Sequence, residues 1–290
     1  MAVDLHCHTT ASDGTLTPSE LIAEAQRVKL TALALTDHDT VAGLAEARNA
    51  ARDSGLTLVP GVELSIDFPL PGKAHLHLLG LFIDPENEIL IRTLNELAGD
   101  RERRAEKIIE QLNAHGMDLS IDELRESAAG SIGRPHVASL MARKGYVNSV
   151  WEAFDKYLAK GKPGYVGKRK LTLPQAVELV HQAGGLALVA HPVSLNQPTY
   201  AAYTRLFREF KKQGVDGVEV YYSSHTWHFV KYLLQIADRL GWCISGGSDF
   251  HGTVKPDIHL GKGRGNLYVP DALVEQLLTF RLNKYGEKGS

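Results

Sequence analysis

The stretch Val3-Asp4-Leu5-His6-Cys7-His8 decides how the chain is read. A short run that alternates apolar and polar residues predicts a strand, and successive side chains of a strand point to opposite faces. On strict alternation Asp4, His6 and His8 share one face, and Val3, Leu5 and Cys7 share the other. Two imidazoles aimed the same way beside a carboxylate form half of a metal site. Asp13 follows after one polar turn, and Asp4 is expected to orient a ligand histidine from behind rather than to hold an ion itself.

Outward from this strand the chain alternates strand with helix. Thr17-Pro18-Ser19-Glu20 reads as a helix start, with Thr17 as cap, Pro18 in the first turn and Glu20 closing a capping box. Residues 30–36 form an apolar strand ending in Asp37-His38-Asp39, residues 40–54 a helix, and residues 56–60 a strand followed by Gly61-Val62-Glu63-Leu64-Ser65. Residues 74–83 form a further strand carrying His75 and His77. After a helical stretch the alternation resumes, with strands ending in His191-Pro192, in Ser223-Ser224-His225 and in Ser248-Asp249-Phe250-His251. Seven strands are expected, near residues 3, 31, 57, 75, 186, 216 and 242. Repeated strand–helix units predict a parallel sheet with helices outside. Polar groups at the ends of so many strands favour a closed α/β barrel over an open sheet, whose site sits at one switch point. The barrel is expected to span 1–95 and 166–290, and an inserted helical cap subdomain 96–165.

Composition narrows the function. The 290 residues are 43% hydrophobic, enough for a substantial core. A formal charge of −2, from 32 Lys+Arg against 34 Asp+Glu, leaves no global basic field for duplex DNA. The two cysteines, Cys7 and Cys243, lie in apolar runs and are read as buried thiols, which suits a reducing compartment. No run approaches the ~18–20 apolar residues of a membrane span. The start shows no basic region followed by an apolar run, so no signal peptide is expected and a cytoplasmic location is.

The 13 histidines are clustered rather than scattered. His6, His8, Asp13, His38, Glu63, His77, His191, Asp249 and His251 all fall toward one end of the inferred barrel. That is more nitrogen and oxygen donors than one ion uses, so two or three divalent ions are expected. His77 is preferred over His75 as the fourth strand's ligand. Mixed imidazole and carboxylate donors permit Mn²⁺, Zn²⁺ or Fe²⁺.

His6-Cys7-His8, Asp13, Thr36-Asp37-His38-Asp39, Glu63, His77, His191-Pro192 and Ser248-Asp249-Phe250-His251 together resemble the PHP (polymerase and histidinol phosphatase) family of the amidohydrolase superfamily. The resemblance implies a distorted seven-stranded TIM-like barrel and a trinuclear centre. One ion would take His6, His8, Glu63 and Asp249, a second Glu63, His77 and His191, and a third Asp13, His38 and His251. Mn²⁺ is the first choice. The ions would generate a hydroxide that attacks phosphorus, with His6, His8, Glu63 and Asp249 nearest the chemistry.

Gly133-Arg134-Pro135-His136, Gly161-Lys162-Pro163-Gly164-Tyr165-Val166 with Lys168, and Val220-Tyr221-Tyr222-Ser223-Ser224-His225 resemble one branch of that family, the 3′,5′-nucleotide bisphosphate phosphatases and related 5′–3′ RNA exonucleases. By that resemblance Arg134, His136, Lys168 and His225 hold phosphate oxygens, and the insert caps the barrel mouth. His225 is also a candidate general acid. The expected substrate is a small nucleotide, with short 5′-phosphorylated RNA as the alternative and neither duplex DNA nor membrane as partner. A histidinol-phosphate phosphatase, a non-catalytic PHP module beside a polymerase and a C–N hydrolase are the other readings.

Overall fold

A computed structural model describes residues 2–72, 74–127, 133–167 and 169–286. The chain divides into two compact units, Met1–Arg92 with Lys170–Ser290, and Thr93–Arg169.

The first unit is an α/β sheet that curls into a distorted barrel. Its strands are β1 (Ala2–Cys7), β2 (Leu30–Leu35), β3 (Thr57–Asp67), β4 (Leu76–Leu81), β5 (Leu171–Thr172), β6 (Leu186–Val189), β7 (Gly217–Tyr221) and β8 (Cys243–Gly246). Seven of them follow one path, β1-β2-β3-β4-β6-β7-β8, and the two-residue β5 pairs alongside β3. Beyond β8 the chain turns onto β1. The Asp249 N–H donates to the His6 carbonyl at 2.9 Å, the His8 N–H donates to the Phe250 carbonyl at 2.9 Å, and Cys7 bridges Phe250 in parallel. First and last strands therefore meet. Gly247 permits this closeness, since a Cβ there would lie 2.4 Å from the His6 Cβ.

Two expectations change here. The sheet is not wholly parallel, because β4 runs antiparallel to both β3 and β6. Its first residues therefore stand at the rim where the parallel strands end, and this places His77 beside the ends of its neighbours. Strand β3 also continues through Glu63 to Asp67 instead of stopping at Pro60, so Glu63 is a strand residue paired opposite Leu79.

The interior is filled by Val3, Leu5, Ala32, Ala34, Val59, Leu79, Leu81, Leu186 and Leu188, together with Leu273 and Leu277 of the last helix, α10 (Ala272–Tyr285). Leu79 shares the sheet face of Glu63, so Val3 and Leu5 lie on the same side as the polar cluster. Pairing of β1 with β2 is irregular between Asp4 and Cys7. A bulge of this kind re-aims side chains, and it turns His6 and His8 onto the inner face that Leu5 already occupies. Strict alternation is thus broken, and Asp4 does not share the His6 face. Asp4 accepts instead from the Ser248 N–H and the Gly261 N–H, each at 2.8 Å, and from the Ser248 hydroxyl at 2.5 Å. It pins the loops beyond β8 and accepts from the His6 backbone N–H at 3.4 Å, and among the described residues it meets no imidazole nitrogen.

Helix α1 (Pro18–Arg27) starts with the predicted box. The Glu20 N–H donates to Thr17 Oγ1 at 3.2 Å, and the Thr17 N–H donates to Glu20 Oε2 at 2.8 Å. Helix α2 (Leu44–Ala51) is shorter than the 40–54 expected. Helices α7 (Leu173–Gln182), α8 (Tyr200–Lys212) and α9 (Trp227–Leu240) fill the later crossovers. Cys7 and Cys243 are buried free thiols. Among the described residues no helix is long and apolar enough to cross a membrane.

Helix α3 (Glu88–Ala114) leads into the second unit, which continues through α4 (Ile121–Ser127), α5 (Arg134–Arg143) and α6 (Val150–Ala153), followed by a wide helical turn at Phe154–Leu158. It has its own apolar core, built on Ile108, Leu112, Leu124, Val137, Leu140, Met141 and Leu158.

Candidate metal centre

Glu63 is the hub of the site. Its side chain is fully buried, and five imidazoles converge on its two oxygens. His77 Nδ1 and His191 Nε2 each lie 2.8 Å from Oε1. His38 Nδ1 lies 3.1 Å from Oε2, and His6 Nε2 and His8 Nε2 each lie 3.2 Å from it. Asp249 stands opposite, its Oδ1 3.6 Å from His6 Nε2 and 3.4 Å from His8 Nε2. Asp13 extends the cluster outward, with Oδ1 3.3 Å from His251 Nε2.

All nine expected ligands are therefore brought together. Three sets have donor atoms within 4.8 Å of one another: His6, His8, Glu63 and Asp249; His8, Asp13, His38 and His251; and His38, Glu63 and His77. The first is one of the sets implied by resemblance. The second is another with His8 added. In the third, His38 accompanies Glu63 and His77, while His191 approaches the same Glu63 oxygen as His77. His77 belongs to these sets and His75 does not.

The donor atoms fit a cation. His6 Nε2, both nitrogens of His8, His38 Nδ1 and Glu63 Oε2 are buried with no hydrogen-bond partner. Each such orphan costs about 1–3 kcal/mol in a folded interior unless something satisfies it. Other ring nitrogens of the cluster are held. His6 Nδ1 lies 3.0 Å from Glu219 Oε1, His191 Nδ1 lies 3.1 Å from Ser194 Oγ, and His251 Nδ1 donates to the Asp249 carbonyl at 2.9 Å. Fixing one ring nitrogen sets the tautomer and leaves the other to ligate.

The electrostatics agree. Burial opposes ionisation of Glu63, yet the imidazoles of His38, His6 and His77 pull its carboxyl well below the usual range. Asp249 behaves likewise, against burial, through His6, His8 and Lys255. His8 is pushed up to about 9 because Asp249 and Glu63 outweigh its burial. His38, dominated by burial, falls to about 3. Buried carboxylates that draw protons onto their neighbours demand positive charge at the centre, which divalent ions would supply.

Rim geometry is forced. His191, Asp249 and Asp39 have φ of 24°, 59° and 52°. Non-glycine residues in this region are strained by about 1–3 kcal/mol each and collect at functional sites. Asp39 accepts from the Ser65 N–H at 2.8 Å, and Asp37 accepts from the Thr9 N–H and hydroxyl at 2.7 and 2.6 Å, so the two carboxylates flanking His38 hold its loop.

Glu219 and Lys255 were not singled out from the sequence, and Tyr222 was quoted only within the 220–225 motif, with no role toward Asp249. Glu219 holds His6 and also accepts from the His191 N–H at 2.5 Å. Lys255 and Tyr222 donate to Asp249 Oδ2. Glu219 had a faint signal as the acid inside the apolar run Val218-Glu219-Val220. Lys255 had none.

The expected phosphate contacts belong to both units of the chain. His225 is buried, its Nδ1 donates to the Val220 carbonyl at 2.8 Å, and burial lowers it to about 4. It is therefore neutral, and Nε2 would need a proton before donating to an anion. Arg134 and His136 belong to the second unit. Arg134 Nη1 donates to the Leu158 carbonyl at 3.1 Å, and its guanidinium carbon lies 5.6 Å from the ring centres of both Phe154 and Tyr165. The Gly133 N–H donates to His136 Nδ1 at 3.1 Å, which leaves the ring hydrogen on Nε2. Lys168 lies outside the described residues.

A PHP domain profile matches residues 4–166. That span contains His6, His8, Asp13, His38, Glu63 and His77 and ends before His191, Asp249 and His251. A 5′-3′ exoribonuclease of Haemophilus influenzae is 37% identical over 86% of this chain and 89% of its own length. A 3′,5′-nucleoside bisphosphate phosphatase of Chromobacterium violaceum is also 37% identical, over 86% of this chain and 87% of its own. A protein of Bifidobacterium adolescentis assigned as a metal-dependent phosphoesterase has the same fold at a TM-score of 0.77 and 29% identity, covering 96% of both chains. The chain belongs to the PHP family. It is a metal-dependent phosphoester hydrolase, with its donors gathered on one rim of a distorted barrel.

Proposed function

We propose that the chain removes the 3′-phosphate from 3′,5′-nucleotide bisphosphates, converting adenosine 3′,5′-bisphosphate to AMP and phosphate. The observation that carries this reading is the convergence of five imidazoles on Glu63 with buried, unpartnered donor atoms among them. The bisphosphate phosphatase relative supplies the substrate class.

In this reading two or three divalent ions, Mn²⁺ first, are held by His6, His8, Glu63 and Asp249, by Glu63, His77 and His191, and by Asp13, His38 and His251. When bound, such ions acidify a water and neutralise charge on phosphoryl oxygens. Glu219 and Ser194 keep the His6 and His191 rings in register. Arg134, His136, Lys168 and His225 are the proposed substrate-phosphate contacts. A reducing, cytoplasmic setting fits the two free buried thiols.

A second reading is 5′–3′ exonuclease action on short 5′-phosphorylated RNA, favoured by the equal identity of the exoribonuclease relative. Mn²⁺-loaded protein is offered adenosine 3′,5′-bisphosphate, histidinol phosphate and a 5′-phosphorylated RNA oligomer, with phosphate and mononucleotide release followed. Phosphate release from the bisphosphate should be fastest. Faster mononucleotide release from RNA selects the second reading, and turnover of histidinol phosphate alone sinks both. Arg134→Ala should raise KM for the bisphosphate about tenfold with metal content unchanged.

A further inference from the structure

Asp249 uses its two carboxylate oxygens differently. Oδ1 faces His6, His8 and His251 at 3.6, 3.4 and 3.4 Å. Oδ2 accepts from Lys255 Nζ at 2.6 Å and from the Tyr222 hydroxyl at 3.1 Å. Lys255 and Tyr222 line a cavity of about 230 Å³ whose wall also carries His38, Glu63, His77 and His191. The Lys255 side chain is 38% exposed where that of Asp249 is 7% exposed, so the ammonium reaches the carboxylate from the solvent side.

A lysine is an odd choice if its only task is to hold Asp249. The neutral Tyr222 hydroxyl already does that, and a unit positive charge beside a centre built for divalent cations is repelled by them. The arrangement becomes favourable once an anion sits between the two. An ammonium has three donors. Among the described residues Asp249 is the one carboxylate within ion-pair distance of this one.

We propose that Lys255 is a phosphoryl-contacting residue: one N–H stays on Asp249 Oδ2 while the others bind a non-bridging oxygen of the phosphoryl group seated in the cavity. This rests on the phosphoester reading but concerns the phosphoryl group alone, not the nucleotide that carries it.

The test is calorimetric titration of the Mn²⁺-loaded full chain with inorganic phosphate, alongside elemental analysis, for wild type, Lys255→Met and Lys255→Arg. Lys255→Met should weaken phosphate binding about tenfold to hundredfold at unchanged metal stoichiometry, and Lys255→Arg should keep most of the affinity. Unchanged phosphate affinity in Lys255→Met, or no phosphate binding by wild type, overturns the proposal. So does metal loss from Lys255→Met, which would confine Lys255 to holding Asp249. Failure of wild type to hydrolyse the bisphosphate sinks the proposed substrate and leaves the phosphate titration standing.

Discussion

Two polar clusters sit at opposite ends of the same strands, and they are built on opposite principles. At the rim, six imidazoles and three carboxylates crowd together with several donor atoms left unpartnered. At the starts of β6 and β7, Asp216 gathers His181 and Lys284 and is saturated. His181 Nε2 lies 2.8 Å from Oδ2, the Ala187 N–H donates to that oxygen at 2.9 Å, and Lys284 donates to Oδ1. Both clusters contain histidine beside acid, so residue type does not separate them. What separates them is whether each buried atom has a partner within the chain. The saturated cluster ties α10 to the sheet, and the unsaturated one calls for an ion.

That contrast can be broken most sharply at Glu63. Glu63→Gln removes the charge on which five imidazoles converge, and kcat should fall about a thousandfold, several kcal/mol of barrier, with metal lost on elemental analysis. Retained activity at full metal content would remove Glu63 from the centre. Glu219→Gln touches no proposed ion and acts through the His6 ring. It should lower metal affinity or activity about tenfold to hundredfold, read as a shift in the Mn²⁺ activation curve, with little change in Tm.

Asp216→Asn should do the reverse, lowering stability by about 1–3 kcal/mol in denaturant melts and leaving kcat of the folded protein unchanged. Its pH dependence follows from the same contacts. Burial alone would raise the Asp216 carboxyl, but His181, the Ala187 N–H and Lys284 outweigh it and hold the folded value low. A depressed carboxyl stabilises fully above its unfolded value of about 3.9 and loses that contribution as pH falls through the folded value. Wild type should therefore shed in acid a stability increment that Asp216→Asn never had. Parallel melts of the two proteins between pH 6 and 3 check this, and an identical acid dependence would contradict it.

Much of the rim was legible because metal-ligating residue types are rare in apolar runs. His6, His8, His38, His191, Asp249 and His251 all stand at or just past strand ends, where polar side chains otherwise have little reason to cluster. Glu219 was not legible, because a lone acid in an apolar strand also reads as an edge residue, and its purpose appears only with the His6 ring 3.0 Å away. Lys255 sits in a polar loop where any lysine is ordinary. Asp4 was misread because the bulge after it reverses the alternation on which its role was argued.

The sequence by itself determined the α/β alternation, the clustering of histidines with acids near strand ends, and the family, since these follow from residue type, spacing and local periodicity. Only the tertiary structure decided that β4 runs backwards, that β3 continues through Glu63, that His6 and Leu5 share a face, and that Glu219 rather than Asp4 holds the His6 ring. Strand direction, register and bulges arise from pairing between segments far apart in the chain. A one-residue change in that pairing moves a side chain to the other face without altering a letter of the local sequence.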